Sequence, residues 1–110
     1  MALGTPTLEA RQGQTTLRPN FITYLQFVGD DAYATGGTAD FNAFVGAALG
    51  INATVSAVSG YGKTAGVVTH LLEYDASEDK LLVYVLSTGA QAADAADLSG
   101  VTFDAIVTHH

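Results

Sequence analysis

The segment Val67 to Leu86, VVTHLLEYDASEDKLLVYVL, sets two runs of β-branched, aromatic and aliphatic residues on either side of Asp75 to Asp79. Val, Thr and Tyr favour a pleated strand over a helix. The acidic linker can close a turn, because Asx side chains bond backbone amides two residues on. This is the clearest hairpin in the chain. Both faces of its two strands are apolar, so alternation specifies the register weakly and both faces call for cover. A chain of 110 residues has two ways to supply it. Either the strands close into a sandwich with a helix outside, or a face is buried against another subunit.

Other segments repeat the β signal. Phe21 to Val28, FITYLQFV, follows Pro19 and predicts the first core strand, with Phe21, Thr23, Leu25 and Phe27 on one face. Further strands are expected over Ile51 to Ser59, Val67 to Tyr74, Lys80 to Leu86 and Val101 to Thr108. Between Asp40 and Leu49 the period changes: Phe41, Phe44, Val45 and Ala48 fall on one stripe of a helix. Thr38 or Asp40 is expected to cap it, and Gly50 to end it through a left-handed turn. Gly29 to Gly37 reads as an exposed loop, and Ser87 to Gly100 as a long loop with one helical turn. The first twenty residues hold Pro6, Pro19, Gly4 and Gly13 without periodicity. The expected organisation is an extended N-terminal arm over 1–20 and one β-sandwich domain over 21–110, mainly β, antiparallel, with one short α-helix.

Charge narrows the range of partners. Four basic residues face eleven acidic ones, a net charge of −7, which repels phosphate backbones and anionic headgroups. Nucleic acid and membrane are therefore not expected as partners. No run reaches the length of a membrane span, and Met1 to Asn20 lacks the apolar stretch of a secretion signal, so a soluble chain made in the cytoplasm is expected. The sequence has no cysteine, which removes disulfides and zinc–thiolate sites. Only 14% of residues are charged, so much of the surface is uncharged Ala, Gly, Thr and Ser and costs little to desolvate against a neighbour. The arm holds Arg11 and Arg18 against Glu9, whereas residues 21–110 hold two lysines against ten acids. A basic arm can thus lie on an acidic body, its own or a neighbour's.

Motifs of catalysis are weak. Gly60 to Thr64, GYGKT, ends like a phosphate-binding loop, but the required leading glycine is Ala57 and a strand follows in place of a helix. A glycine-rich loop between strands is the better reading. His70, His109 and His110 form no ligand trio, and strand geometry puts His70 and Glu73 on opposite faces. Asp30, Asp31, Asp75, Glu78 and Asp79 lack the spacing of a calcium loop. The serines have no nucleophile-elbow context. No enzyme, cofactor or metal is expected. Most of the Tyr and Phe residues read as core; Tyr33 and Tyr61, in glycine-containing loops, are expected to reach a ligand or neighbour.

The order of elements in the second half carries a resemblance. Gly36-Gly37, Ala48-Leu49-Gly50-Ile51, Gly66 to Asp75, Lys80 to Tyr84 and Ala96 to Phe103 together resemble the small β-sandwich structural proteins of tailed bacteriophage virions, capsid decoration or cement type. The likeness spans about residues 21 to 108. It implies a jelly-roll-like fold and a homotrimer on the outside of the head, at the local threefold positions of the virion, tying major capsid protein subunits together. On that reading Leu8, Arg11, Leu17 and Arg18 of the arm would engage a neighbouring subunit. The alternative is a glycan- or receptor-binding head of a phage fibre, tail or neck, using Tyr33, Tyr61 and loop acids. A small enzyme or metal-dependent module resting on His70 and the scattered acids is the third.

Overall fold

The structure is a computed structural model and describes residues 3–4, 7–8, 13–14 and 21–110. Among them are eight strands and one helix in the order β1 (Thr7–Leu8), β2 (Gly13–Gln14), β3 (Phe21–Val28), β4 (Thr38–Ala39), α1 (Phe41–Leu49), β5 (Val55–Thr64), β6 (Val67–Asp75), β7 (Lys80–Val85) and β8 (Thr102–His109). All strand pairs are antiparallel and belong to one sheet, ordered β1-β3-β8-β5-β6-β7-β4, with β2 also on β3. The protein is therefore mainly β. The last strand is not at an edge: β8 lies between β3 and β5 and pairs with each over its full length.

β3 and β8 show the two-residue period of a half-buried sheet. Thr23, Leu25 and Phe27 point inward with Phe103, Ala105, Val107 and His109, while the residues between them face out. Helix α1 lies on the inner face and buries Phe41, Val45 and Gly46. Its aromatic contacts explain why. Phe27 stacks on Phe103 at 5.7 Å and meets Phe44 edge-on at 5.2 Å, and Phe41 lies 5.7 Å from Tyr74 across the sheet. The loops 29–37 and 86–101 close the same face. Tyr33 N–H donates to the Ala96 carbonyl at 2.9 Å, and Leu98 N–H to that of Asp30 at 2.8 Å. The second loop contains turns and a bridge between Tyr84 and Gln91 but not the expected helical turn.

Two local expectations need correction. Asp40 stands at the start of α1 with a left-handed φ of 62°, and its side chain makes no capping bond; Thr38 is in β4. The cap comes from elsewhere: Asn42 N–H donates to Asp79 Oδ1 at 2.9 Å, from the turn after β6. The segment Gly60 to Thr64 lies inside β5 and is not a loop. Its glycines are there for space. A Cβ on Gly60 would stand 2.3 Å from the Asp104 carbonyl oxygen, and one on Gly62 would stand 2.6 Å from the Phe103 ring. The reversal follows at Ala65 and Gly66, both with positive φ, as a tight two-residue hairpin turn requires.

The turn expected over Asp75 to Asp79 forms as its chemistry dictates, with Asp75 Oδ1 accepting from Ser77 N–H at 3.0 Å and Ser77 Oγ–H at 2.7 Å. Gly50 ends α1 in the left-handed region, as expected.

Candidate functional site

With α1 and both long loops on one side of the sheet, its other side has no cover among the described residues. Outward positions are set by register. Tyr24 on β3 pairs with Ile106 on β8, which pairs with Ser59 on β5. One step along, Gln26 pairs with Asp104, Asp104 with Tyr61, Tyr61 with Leu71 on β6, and Leu71 with Tyr84 on β7. An apolar band thus crosses five strands. Tyr24, Tyr61, Leu71 and Ile106 are each 38–43% exposed, high for large apolar side chains grouped on one face. Ile22 and Val28 extend the band along β3.

Two polar pairs on this face are bonded within the chain. Gln26 Nε2–H donates to Asp104 Oδ1 at 3.1 Å, and the Tyr84 hydroxyl donates to Glu73 Oε1 at 3.4 Å. Desolvation first, and the Glu73 charge next, push the Tyr84 phenol above its ordinary pKa. Lys63 Nζ sits 5.3 Å from the centre of the Tyr61 ring, a cation–π contact that draws the ammonium over the band. Between Tyr24 and Tyr61 lies a shallow groove of about 560 Å³ lined also by Gln26, Ser59, Asp104 and Ile106. A second depression, about 620 Å³, runs beside α1 from Asn42 to Ala53 and is walled mainly by small residues and backbone. It has no titratable side chain in its lining.

Of the residues singled out from sequence, Tyr61 belongs to this face, though from within a strand and not from a loop. Tyr33 does not. It is 1% exposed; its hydroxyl donates to Gln91 Oε1 at 3.0 Å and accepts from Val83 N–H at 3.2 Å, so it pins two loops to β7 from inside the core. Burial raises its phenol pKa. Leu8 lies in β1, opposite Leu25 of β3. Arg11, Leu17 and Arg18 fall outside the described residues. Tyr24, Ile106, Leu71 and Tyr84 escaped the sequence reading as surface residues, because aromatic and aliphatic side chains in strands look alike on either face. The signal that was present is that the strands are apolar on both sides.

The histidines are separately housed. His70 Nδ1 and Thr69 Oγ1 share a hydrogen bond at 2.8 Å, the ring meets Phe103 edge-on, and desolvation lowers its pKa. His109 is fully buried at the end of β8. Among the described residues no group of three His, Asp or Glu side chains is placed to hold a metal ion. Lys63, which ends the phosphate-loop-like stretch, points across the open face from a strand, where no helix N-terminus is available to cradle an anion. Among the described residues no helix is long and apolar enough to cross a membrane. No family model, curated protein or solved structure matches the chain.

Proposed function

We propose that this chain is a non-enzymatic structural protein that acts by attachment: a capsid decoration or cement protein, binding the outside of a bacteriophage head as an oligomer and stabilising contacts between major capsid protein subunits. The observation that carries the proposal is the open apolar face of the sheet. Nothing among the described residues covers it, and a large exposed apolar patch marks a surface built for a macromolecular contact. The low charge content favours the same use, since few ions must be desolvated. The order of glycine loop, short helix and β-hairpins supplies the resemblance to the decoration type. On this reading the sheet is one layer of a jelly-roll-like variant, covered on one face by α1 and the two loops and on the other by a neighbour. The arm joins it as a clamp, with Leu8, Arg11, Leu17 and Arg18 as its contacts.

Electron microscopy of particles purified from the source of this sequence, with a tag after His110, tests the proposal. Label at regular positions on the head exterior is the expected result. Particles without label, or label at the tail alone, would overturn it.

A second reading, a glycan- or receptor-binding head, draws on the groove between Tyr24 and Tyr61, where two phenol rings flank the Gln26–Asp104 pair. Rings that stack on sugar faces beside bonded carboxylate and amide groups suit a polyhydroxylated ligand. Binding on a glycan array that is lost in Tyr24→Ala would favour this reading over the first.

A further inference from the structure

For so acidic a protein the open face carries little net charge. Residues 21–110 hold two lysines and ten acids, and both lysines stand on outward positions of the sheet: Lys63 beside Tyr61, and Lys80 opposite Asp75. The outward acids are Glu73, Asp75 and Asp104. Glu78, in the turn beside the face, pairs with Lys80 at 3.2 Å, so the face carries a small net negative charge, while the other six acids lie in loops and turns or at the start of α1. Two copies approaching by their loops and turns bring more uncompensated negative charge together than two approaching by this side.

Size and polarity point the same way. Four strands about 4.8 Å apart and about eight residues long, at about 3.3 Å per residue, cover roughly 500 Å² in projection. Side-chain relief raises the accessible area towards the ~800 Å² per partner of a stable interface. Gln26 donates to Asp104 and Tyr84 to Glu73 within the chain, so these two donors need no acceptor from a partner, while the two carboxylates stay hydrated in the contact.

From these observations we infer that the open face packs against the same face of a second copy, sheet on sheet, with Tyr24, Tyr61, Leu71 and Ile106 at the centre of the contact. The pairing is isologous: one surface meets itself about a twofold axis. Two such sheets lie about 10 Å apart, so the sandwich that the sequence calls for is completed between chains. The inference rests on reading the open face as the working surface of the attachment protein, and it replaces the threefold arrangement by a twofold one.

Sedimentation velocity and light scattering on the full chain test it, with circular dichroism to confirm folding. The expected mass is twice the 11.3 kDa of one chain. Ile106→Asp and Leu71→Asp, two variants on separate strands, are each expected to raise the dissociation constant at least roughly tenfold, since an unpaired carboxylate enters the contact. Ile51→Asp, at an exposed apolar residue off the sheet, is expected to leave the mass unchanged. A single-chain mass at about 100 µM, a mass of three chains, or dissociation caused by Ile51→Asp alone would overturn the pairing. A dimer that does not label particles leaves the pairing standing and removes the virion role. A monomer that binds a shell or a glycan through Tyr24 and Ile106 does the reverse.

Discussion

His109 is the residue whose surroundings are most at odds with its chemistry. It has none of its surface exposed, its ring stacks on Phe21 at 5.5 Å, and Nε2 shares a hydrogen bond with Thr23 Oγ1 at 2.8 Å, while Nδ1 finds no partner among the described residues. Burial, and secondarily His110, hold its pKa below the ordinary 6.5. The folded state then binds fewer protons than the unfolded one. Stability is full above about pH 6.5, falls as pH drops below it by up to about 1.4 kcal/mol per pH unit per group, and levels off below the folded pKa. His70, shifted the same way, adds to the slope. Thermal melts between pH 7 and pH 5 are expected to show the loss, and His109→Gln to flatten part of it; a melting temperature that rises on acidification would reject this. Residue identity misled elsewhere for a physical reason. Gly60 and Gly62 look like loop signals, yet they sit mid-strand because the β8 backbone and the Phe103 ring occupy the space of a side chain. Tyr33 looks exposed because its neighbours are Asp, Ala and Gly, but the loop folds over the core and carries the ring inward.

At the scale of elements, α1 and the β6–β7 turn form one unit. Asp79 Oδ1 accepts from both Asn42 N–H at 2.9 Å and the Tyr74 hydroxyl at 2.6 Å, and Asn42 Oδ1 accepts from Val55 N–H at 2.7 Å, linking helix, turn and β5. Desolvation and the Asp79 carboxylate push the Tyr74 phenol far up, so it stays a donor at neutral pH. Asp79 also has a positive φ of 54°, which costs Asn less than Ala. Asp79→Ala is expected to cost about 2 kcal/mol from the lost cap and the strained turn, and Asp79→Asn well under half of that. Denaturant midpoints of the two variants provide the check; equal losses would mean that neither the cap nor the turn matters. The helix span and the boundaries of β3, β6 and β7 were legible because local periodicity and turn chemistry set them. The cap was not, since its donor and acceptor are 37 residues apart.

For the whole molecule, the balance of charge over shape governs behaviour. With a net charge of −7 per chain, two copies repel at long range even when their weakly charged faces meet. Raising salt from about 0.02 M to about 0.2 M shortens the screening length and is expected to tighten self-association severalfold. Dissociation constants measured by sedimentation at the two salts test this; weaker association at the higher salt would mean that attractive charge pairs hold the contact. The two-sided hairpin strands called for cover on both faces and left two sources for it, a closed sandwich or another subunit. Which face the chain covers for itself depends on where α1 and the loops pack, and Phe27, Phe41 and Phe103 decide that only once they meet.

The position of β8 between β3 and β5 has a consequence for biosynthesis. Until residues 102–109 have emerged from the ribosome, β3 has no partner on that side and the β5–β6–β7 meander carries a bare edge, so the nascent chain is two fragments of a sheet waiting for their middle. Stalled translation upstream of Thr102 therefore leaves bare the two strand edges that β8 covers in the finished sheet.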